Sequence, residues 1–211
     1  MPVLLAVYAK WSRKHADKLL VKLAKWSVRA QIAGALGGGT ADEVFGAAAA
    51  AVSKGDASNQ TEVRALLQRL IPGNDEFREA FVNYGDVSSQ RAKYLLAMLE
   101  KAEAARVGLP EPALDWQART VTIEHILPKA RAASNPADAL VVNKIGNVAL
   151  LEKKLNKDLG SKGFTEKRAI YKTSSYALTT KLASRRTWGT RQISDRTKAL
   201  ADLACTAWPD N

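Results

Sequence analysis

Glu124 and His125 stand side by side in VTIEHILPKA, Val121 to Ala130, at the end of a β-branched run and three residues before Pro128. An imidazole with an unperturbed pKa near ~6.5 takes a proton from water at neutral pH, so His125 is a candidate general base. The other histidine, His15, lies in the basic cluster KWSRKH at a helix start and reads as a solvated surface position. Asn147, after Gly146, and Asn156 stand nine residues apart further along the chain. That interval suits a strand, a turn and a first helical turn. Taken singly, each piece has a plain structural reading: Glu-His closes many strands, Gly-Asn makes turns, and asparagine caps helices. Their order and surroundings raise the chemical reading.

Two strands and a helix must position these residues. ARTVTIEHI is rich in β-branched side chains and predicts a strand, and IGNVALLE predicts a second. Between them, KARAASNPADALVVNK predicts a loop with a short helix begun near Asn135-Pro136. Helices are predicted around Leu155 to Leu159 and over TEKRAIYK, ALTTKLASR and RQISDRTKALADLACTAW. The chain before Pro110 and Pro112 reads as helices joined by short polar turns. Leu19, Leu20, Leu23, Val28 and Ile32 fall at helical spacing. Thr40-Ala41-Asp42-Glu43 has a capping-box pattern ahead of the next helix. PVLLAVYA near the start predicts a short buried helix. LGGGT lacks the strand and the Lys-Ser/Thr of a phosphate loop and predicts a turn. The expected class is α+β, mainly α, with a helical domain over residues 1–115 and a smaller α+β domain over residues 116–211.

The formal net charge is +11, and its distribution is uneven. Residues 1–120 carry 16 basic and 13 acidic side chains, and residues 121–211 carry 16 and 8. The excess lies in the half that holds His125, which suits a polyanion, nucleic acid being the commonest. The single cysteine, Cys205, excludes an internal disulfide framework and a multi-cysteine zinc cage, and agrees with a reducing, cytoplasmic setting. No stretch approaches the ~20 apolar residues that span a bilayer, so no membrane partner is expected.

Glu124-His125, Asn147 and Asn156, in this order, resemble the ββα-metal, or HNH, nuclease motif. Its histidine closes the first strand, an asparagine lies on the second, and the helix supplies a histidine or asparagine. Over a longer stretch, IEHILPK, IGNVALLEKKLNKDLGSKGFTEKRAIYKTSSYALTTKLA and the tryptophans that follow are similar to the C-terminal domain of GmrSD-type enzymes. These are bacterial restriction endonucleases that attack modified phage DNA, with relatives among the nickases of phosphorothioate-linked defence. A helical region precedes the HNH part in that family, and a nucleotide-hydrolysing domain normally precedes both. The resemblance therefore implies the C-terminal part of a longer protein, or a stand-alone member. GNVALL departs from the family's usual Leu-Thr after the asparagine, a change of apolar for apolar at position 148.

The resemblance implies DNA cleavage or nicking, with a homodimer possible for double-strand cuts. His125 would be the general base. Glu124, by its carboxylate, and Asn156, by its amide oxygen, would hold a hard divalent ion, magnesium or manganese. Asn147, by the family pattern, would orient the loop or the His125 ring. Lys154, Lys157, Lys167 and Arg168 belong to a basic cluster expected to meet DNA phosphates, with Lys167 first because it matches the family's lysine. The competing readings are a catalytically silent DNA-binding module and a helical module that docks an acidic protein.

Overall fold

A computed structural model describes residues 2–132, 134–160 and 162–211; Ala133, within the loop expected between the strands, lies outside them. The chain is α+β and mainly α, with a two-stranded sheet among the described residues. Its packing defines two compact units, one formed by the chain up to Phe81 with Trp208–Asn211, the other by Val82–Ala207. The division by packing thus falls near residue 82, whereas the residue pattern changes near 115.

The first unit holds α1 (Pro2–Lys10), α2 (Arg13–Ile32), α3 (Gly39–Lys54), α4 (Gln60–Leu66) and most of α5 (Asn74–Asn83). Leu19, Leu23 and Trp26 of α2 are buried with Val44, Ala48 and Val52 of α3, one helical stripe against another. Leu20, expected on the apolar face, is exposed. α1 buries Val3 and Val7 but leaves Leu5 77% exposed, so it covers the core with one face. The expected cap at Thr40 is also displaced: α3 begins at Gly39, with Gly38 before it and no side-chain cap. It ends at Gly55, where φ is 88°, a conformation glycine adopts without strain. Buried Arg29 donates to the carbonyls of Pro72 (3.0 Å) and Trp208 (2.6 Å), and its guanidinium lies 4.4 Å from the Phe77 ring centroid.

The second unit holds α6 (Ser89–Arg106), β1 (Val121–His125), α7 (Lys129–Ala132), α8 (Pro136–Ala139), β2 (Val148–Glu152), α9 (Lys153–Lys157), α10 (Phe164–Tyr171), α11 (Ala177–Thr180) and α12 (Thr190–Ala207). β1 and β2 pair antiparallel, with Glu124 opposite Ala149 and His125 opposite Val148. The second strand is shorter than predicted, because Ile145–Asn147 forms a 3₁₀ turn ahead of it. α8 begins where expected, its first turn capped by the Asn135 side chain.

β2 is buried along almost its whole length, with Ala149 and Leu151 in one core with Ile126, Leu127, Leu159, Tyr171, Trp188 and Ile193. α12 seats against the 3₁₀ turn at Gly146. A Cβ there would collide with the Thr197 hydroxyl and the Ile193 carbonyl, so only glycine permits this approach. From the same helix, buried Arg196 donates through Nη1 to the carbonyls of Gly146 (2.9 Å) and Val148 (2.6 Å). Among the described residues no helix is long and apolar enough to cross a membrane.

Candidate active site

Side chains alternate across a strand, and this decides the geometry around His125. Ile123 and His125 point to one face of β1, where they line a polar cleft of about 350 Å³ with Val148, Lys129, Asn143 and the Asp86–Ser89 segment that leads into α6. Thr122 and Glu124 point to the other face, where α9 and α10 pack. The structure therefore does not bring Glu124 and His125 to one point, although they are sequence neighbours.

His125 is half-buried. Burial pushes its imidazole down to about 4, the Lys129 ammonium and then Lys167 add to the shift, and a hydrogen bond to the Asn143 side chain opposes it. The ring is therefore neutral at physiological pH, the state a proton acceptor needs. Asn143 is itself fixed: its amide nitrogen donates to Asp86 Oδ2 (3.3 Å), and its backbone carbonyl accepts from Val87 N–H (3.2 Å). Asp86 also lies 4.0 Å from the Lys144 ammonium.

Asn147 is fully buried and saturated with hydrogen bonds. Its amide nitrogen donates to the carbonyls of Leu127 (3.1 Å) and Val142 (2.8 Å). Its side-chain oxygen accepts from Leu127 N–H (2.8 Å) and from the Trp188 indole N–H (3.0 Å). Asn147 thus grips the loop directly after His125. The asparagine that lines the cleft with the ring is Asn143, four residues earlier in NKIGN.

Glu124 is 5% exposed. Its Oε1 accepts from the Lys167 ammonium at 2.5 Å and from the Tyr171 hydroxyl at 3.0 Å. Lys167, 1% exposed, also donates to the His125 carbonyl (2.8 Å). This corrects the expectation for Lys167: its charge is spent on Glu124 and the backbone, so it is not offered to DNA. It also bears on the metal ligands. The Glu124 charge is already neutralised by a buried ammonium, and a divalent ion placed on that carboxylate would meet the ammonium a few ångströms away. Among the described residues no group of three or more His, Cys, Asp or Glu side chains could hold a metal. Asn156 donates its amide hydrogens to the Thr122 hydroxyl (2.8 Å) and the Ile123 carbonyl (3.2 Å), which fixes its side-chain oxygen. As arranged, Glu124 and Asn156 do not fit a divalent-ion site.

Lys154 and Lys157 on α9 are exposed, as a DNA contact requires. Arg168 is half-buried and donates through Nε to the Ala183 carbonyl (3.1 Å), which leaves only part of its guanidinium for a partner. Sequence reasoning missed Asp86, Lys129 and Asn143. Asp86 lies far upstream and carries no local signal, whereas Lys129 and Asn143 flank named motif residues.

The family comparison supplies what geometry alone does not. The model of the GmrSD restriction endonucleases, C-terminal domain, matches residues 71–203. The chain belongs to that family. The match spans the hairpin, the His125 cleft, the Lys167–Glu124 pair and most of α12, so the candidate site lies wholly inside the GmrSD C-terminal domain. It begins before α6, which agrees with the packing of that helix in the second unit. A search of curated proteins found no match.

Proposed function

We propose that this chain is a DNA endonuclease or nickase of HNH type, acting in defence against phage DNA, with His125 as general base. The observation that carries the reading is a half-buried imidazole lining a polar cleft with a lysine, inside a domain of a restriction-endonuclease family. The ring nitrogen directed away from Asn143 takes a proton from the water that attacks phosphorus. Asn143 accepts the other ring N–H and so selects the tautomer. Lys129 attracts the scissile phosphate and its developing charge. Asn147 keeps the loop from drifting, since small misplacements of a base are costly. Membership of a restriction-endonuclease family favours a divalent cation, magnesium or manganese, as cofactor. The roles of His125, Asn143 and Lys129 do not depend on where it binds.

Supercoiled plasmid incubated with the protein and magnesium tests the activity. Conversion to nicked or linear DNA is expected, with binding that weakens steeply as salt rises. Lys154→Ala with Lys157→Ala should reduce the salt slope by about one to two, since each lysine that neutralises a phosphate adds close to one to that slope. Salt-dependent binding without any cleavage would instead identify a silent DNA-binding module, the reading that the engaged Glu124 carboxylate favours.

The Asn143 role has its own spectroscopic readout. With two histidines in the chain, ring ¹⁵N resonances are assignable by a His15→Gln variant. His125 should show a single neutral tautomer that becomes a mixture in Asn143→Ala. An unchanged tautomer in that variant would remove Asn143 from the mechanism.

A further inference from the structure

A second concavity in the same unit lies away from the His125 cleft, between the end of α6, the segment after α11 and the outer face of α12. It encloses about 650 Å³, within the range of small-molecule sites. Leucines of α11 and α12, with Leu182 and Trp188, give it an apolar wall. Four cations line it, Arg106, Lys181, Arg185 and Arg196, against the two carboxylates Glu103 and Asp202. One carboxylate serves two of those cations: Glu103 accepts from Arg106 at 2.8 and 2.9 Å and also pairs with the Lys181 ammonium. The Arg185 guanidinium is exposed and forms no hydrogen bond or ion pair among the described residues. Buried Arg196 has no partner for Nη2 among them. An apolar, partly aromatic wall beside surplus guanidinium charge selects a particular chemistry.

We propose that this concavity binds an amphipathic anion, a flat apolar body carrying a sulfonate, carboxylate or phosphate, and that its occupancy is felt by the loop of His125. The body stacks on Trp188 and the leucines, and the anionic group meets Arg185. The connection to the loop is short. Trp188 donates its indole N–H to Asn147 Oδ1 (3.0 Å), and Arg196 holds the carbonyls on either side of Asn147. Asn147 in turn holds both polar groups of the Leu127 backbone. Two walls of the concavity are therefore the direct supports of the residue that fixes the loop.

The probe is 8-anilinonaphthalene-1-sulfonate, titrated into the intact chain by fluorescence. The proposal does not rest on the nuclease reading, and the assay uses neither DNA nor turnover. Saturable one-site binding is expected, weakened at least tenfold by Arg185→Ala, which removes a charge-assisted hydrogen bond. Ala199→Trp, at an exposed lining position, should fill the space and abolish binding without touching the core. In the same titration the Trp188 indole N–H resonance, assigned through Trp188→Phe, should move with the binding curve. Binding unchanged in both Arg185→Ala and Ala199→Trp would overturn the site. A Trp188 resonance that stays still at saturation would overturn the link to the loop.

Discussion

His125→Ala should lower plasmid cleavage by roughly 10²–10⁴-fold, the usual contribution of general-base assistance, while leaving DNA affinity close to that of the parent chain. The side chain lines an open cleft and is half-buried, so its loss removes little packing. The strand beneath it is held by backbone pairing to β2 and by the hydrogen bond that Lys167 donates to the His125 carbonyl, and the loop that follows by the bond that the Asn147 amide donates to the Leu127 carbonyl. Circular dichroism should therefore show an intact fold. The pH profile adds a second readout. With its imidazole pushed down to about 4, the base stays unprotonated through the range where an ordinary histidine becomes charged. Cleavage by the parent chain should hold from neutral pH to about 5 and fall only as pH approaches 4. A folded His125→Ala protein that cuts at the parental rate would end the assignment, and an acid limb near the ordinary ~6.5 would contradict the desolvated setting of the ring.

Lys167→Met should act on stability before it acts on DNA. Removing the ammonium strands the Glu124 carboxylate in a site where both partners are almost wholly buried, and breaking a buried pair in this way costs about 3–5 kcal/mol. The His125 carbonyl loses its donor at the same time. Urea unfolding should show a large fall in midpoint. Glu124→Gln in the same chain should restore much of it, because the uncompensated charge is then gone. If Lys167→Met unfolds like the parent and instead weakens DNA binding with a smaller salt slope, the lysine binds a phosphate, as the family pattern suggests. Glu124→Gln alone should likewise lower stability and leave any magnesium requirement for cleavage unchanged.

The elements around the site were legible because local signals agree. β-Branched residues mark β1, Asn135-Pro136 starts α8, and the apolar run after Gly146-Asn147 makes β2. For Asn147 the family pattern left the loop and the His125 ring as alternatives; the side chain lies in the 3₁₀ turn ahead of β2, and its hydrogen bonds run to the loop. Which face each side chain takes was less legible. Adjacent residues of a strand point apart, so Glu124 and His125 could share a site only if the strand had already ended, and pairing of His125 with Val148 shows that it had not. Lys167 misled because a lysine in a basic stretch reads as solvated, and its partner lies 43 residues away. Asp86 reaches the cleft only because the segment before α6 packs beside β1, a tertiary relation that no local pattern encodes.

The clasp of α12 on the turn at Gly146 also sets a timetable. Arg196 follows Gly146 by 50 residues, so a ribosome working at about 5–20 residues per second makes the turn roughly 3–10 s before the residue that satisfies its carbonyls. Until α12 arrives, the Gly146 and Val148 oxygens and the seat for the Ile193–Thr197 surface stay open, and the grip of Asn147 on the His125 loop has no backing. The nascent chain thus passes through an interval in which the hairpin strands exist but the loop after His125 is not yet braced. The bracing of the His125 loop is a product of α12, made some 50 residues after the turn that it braces.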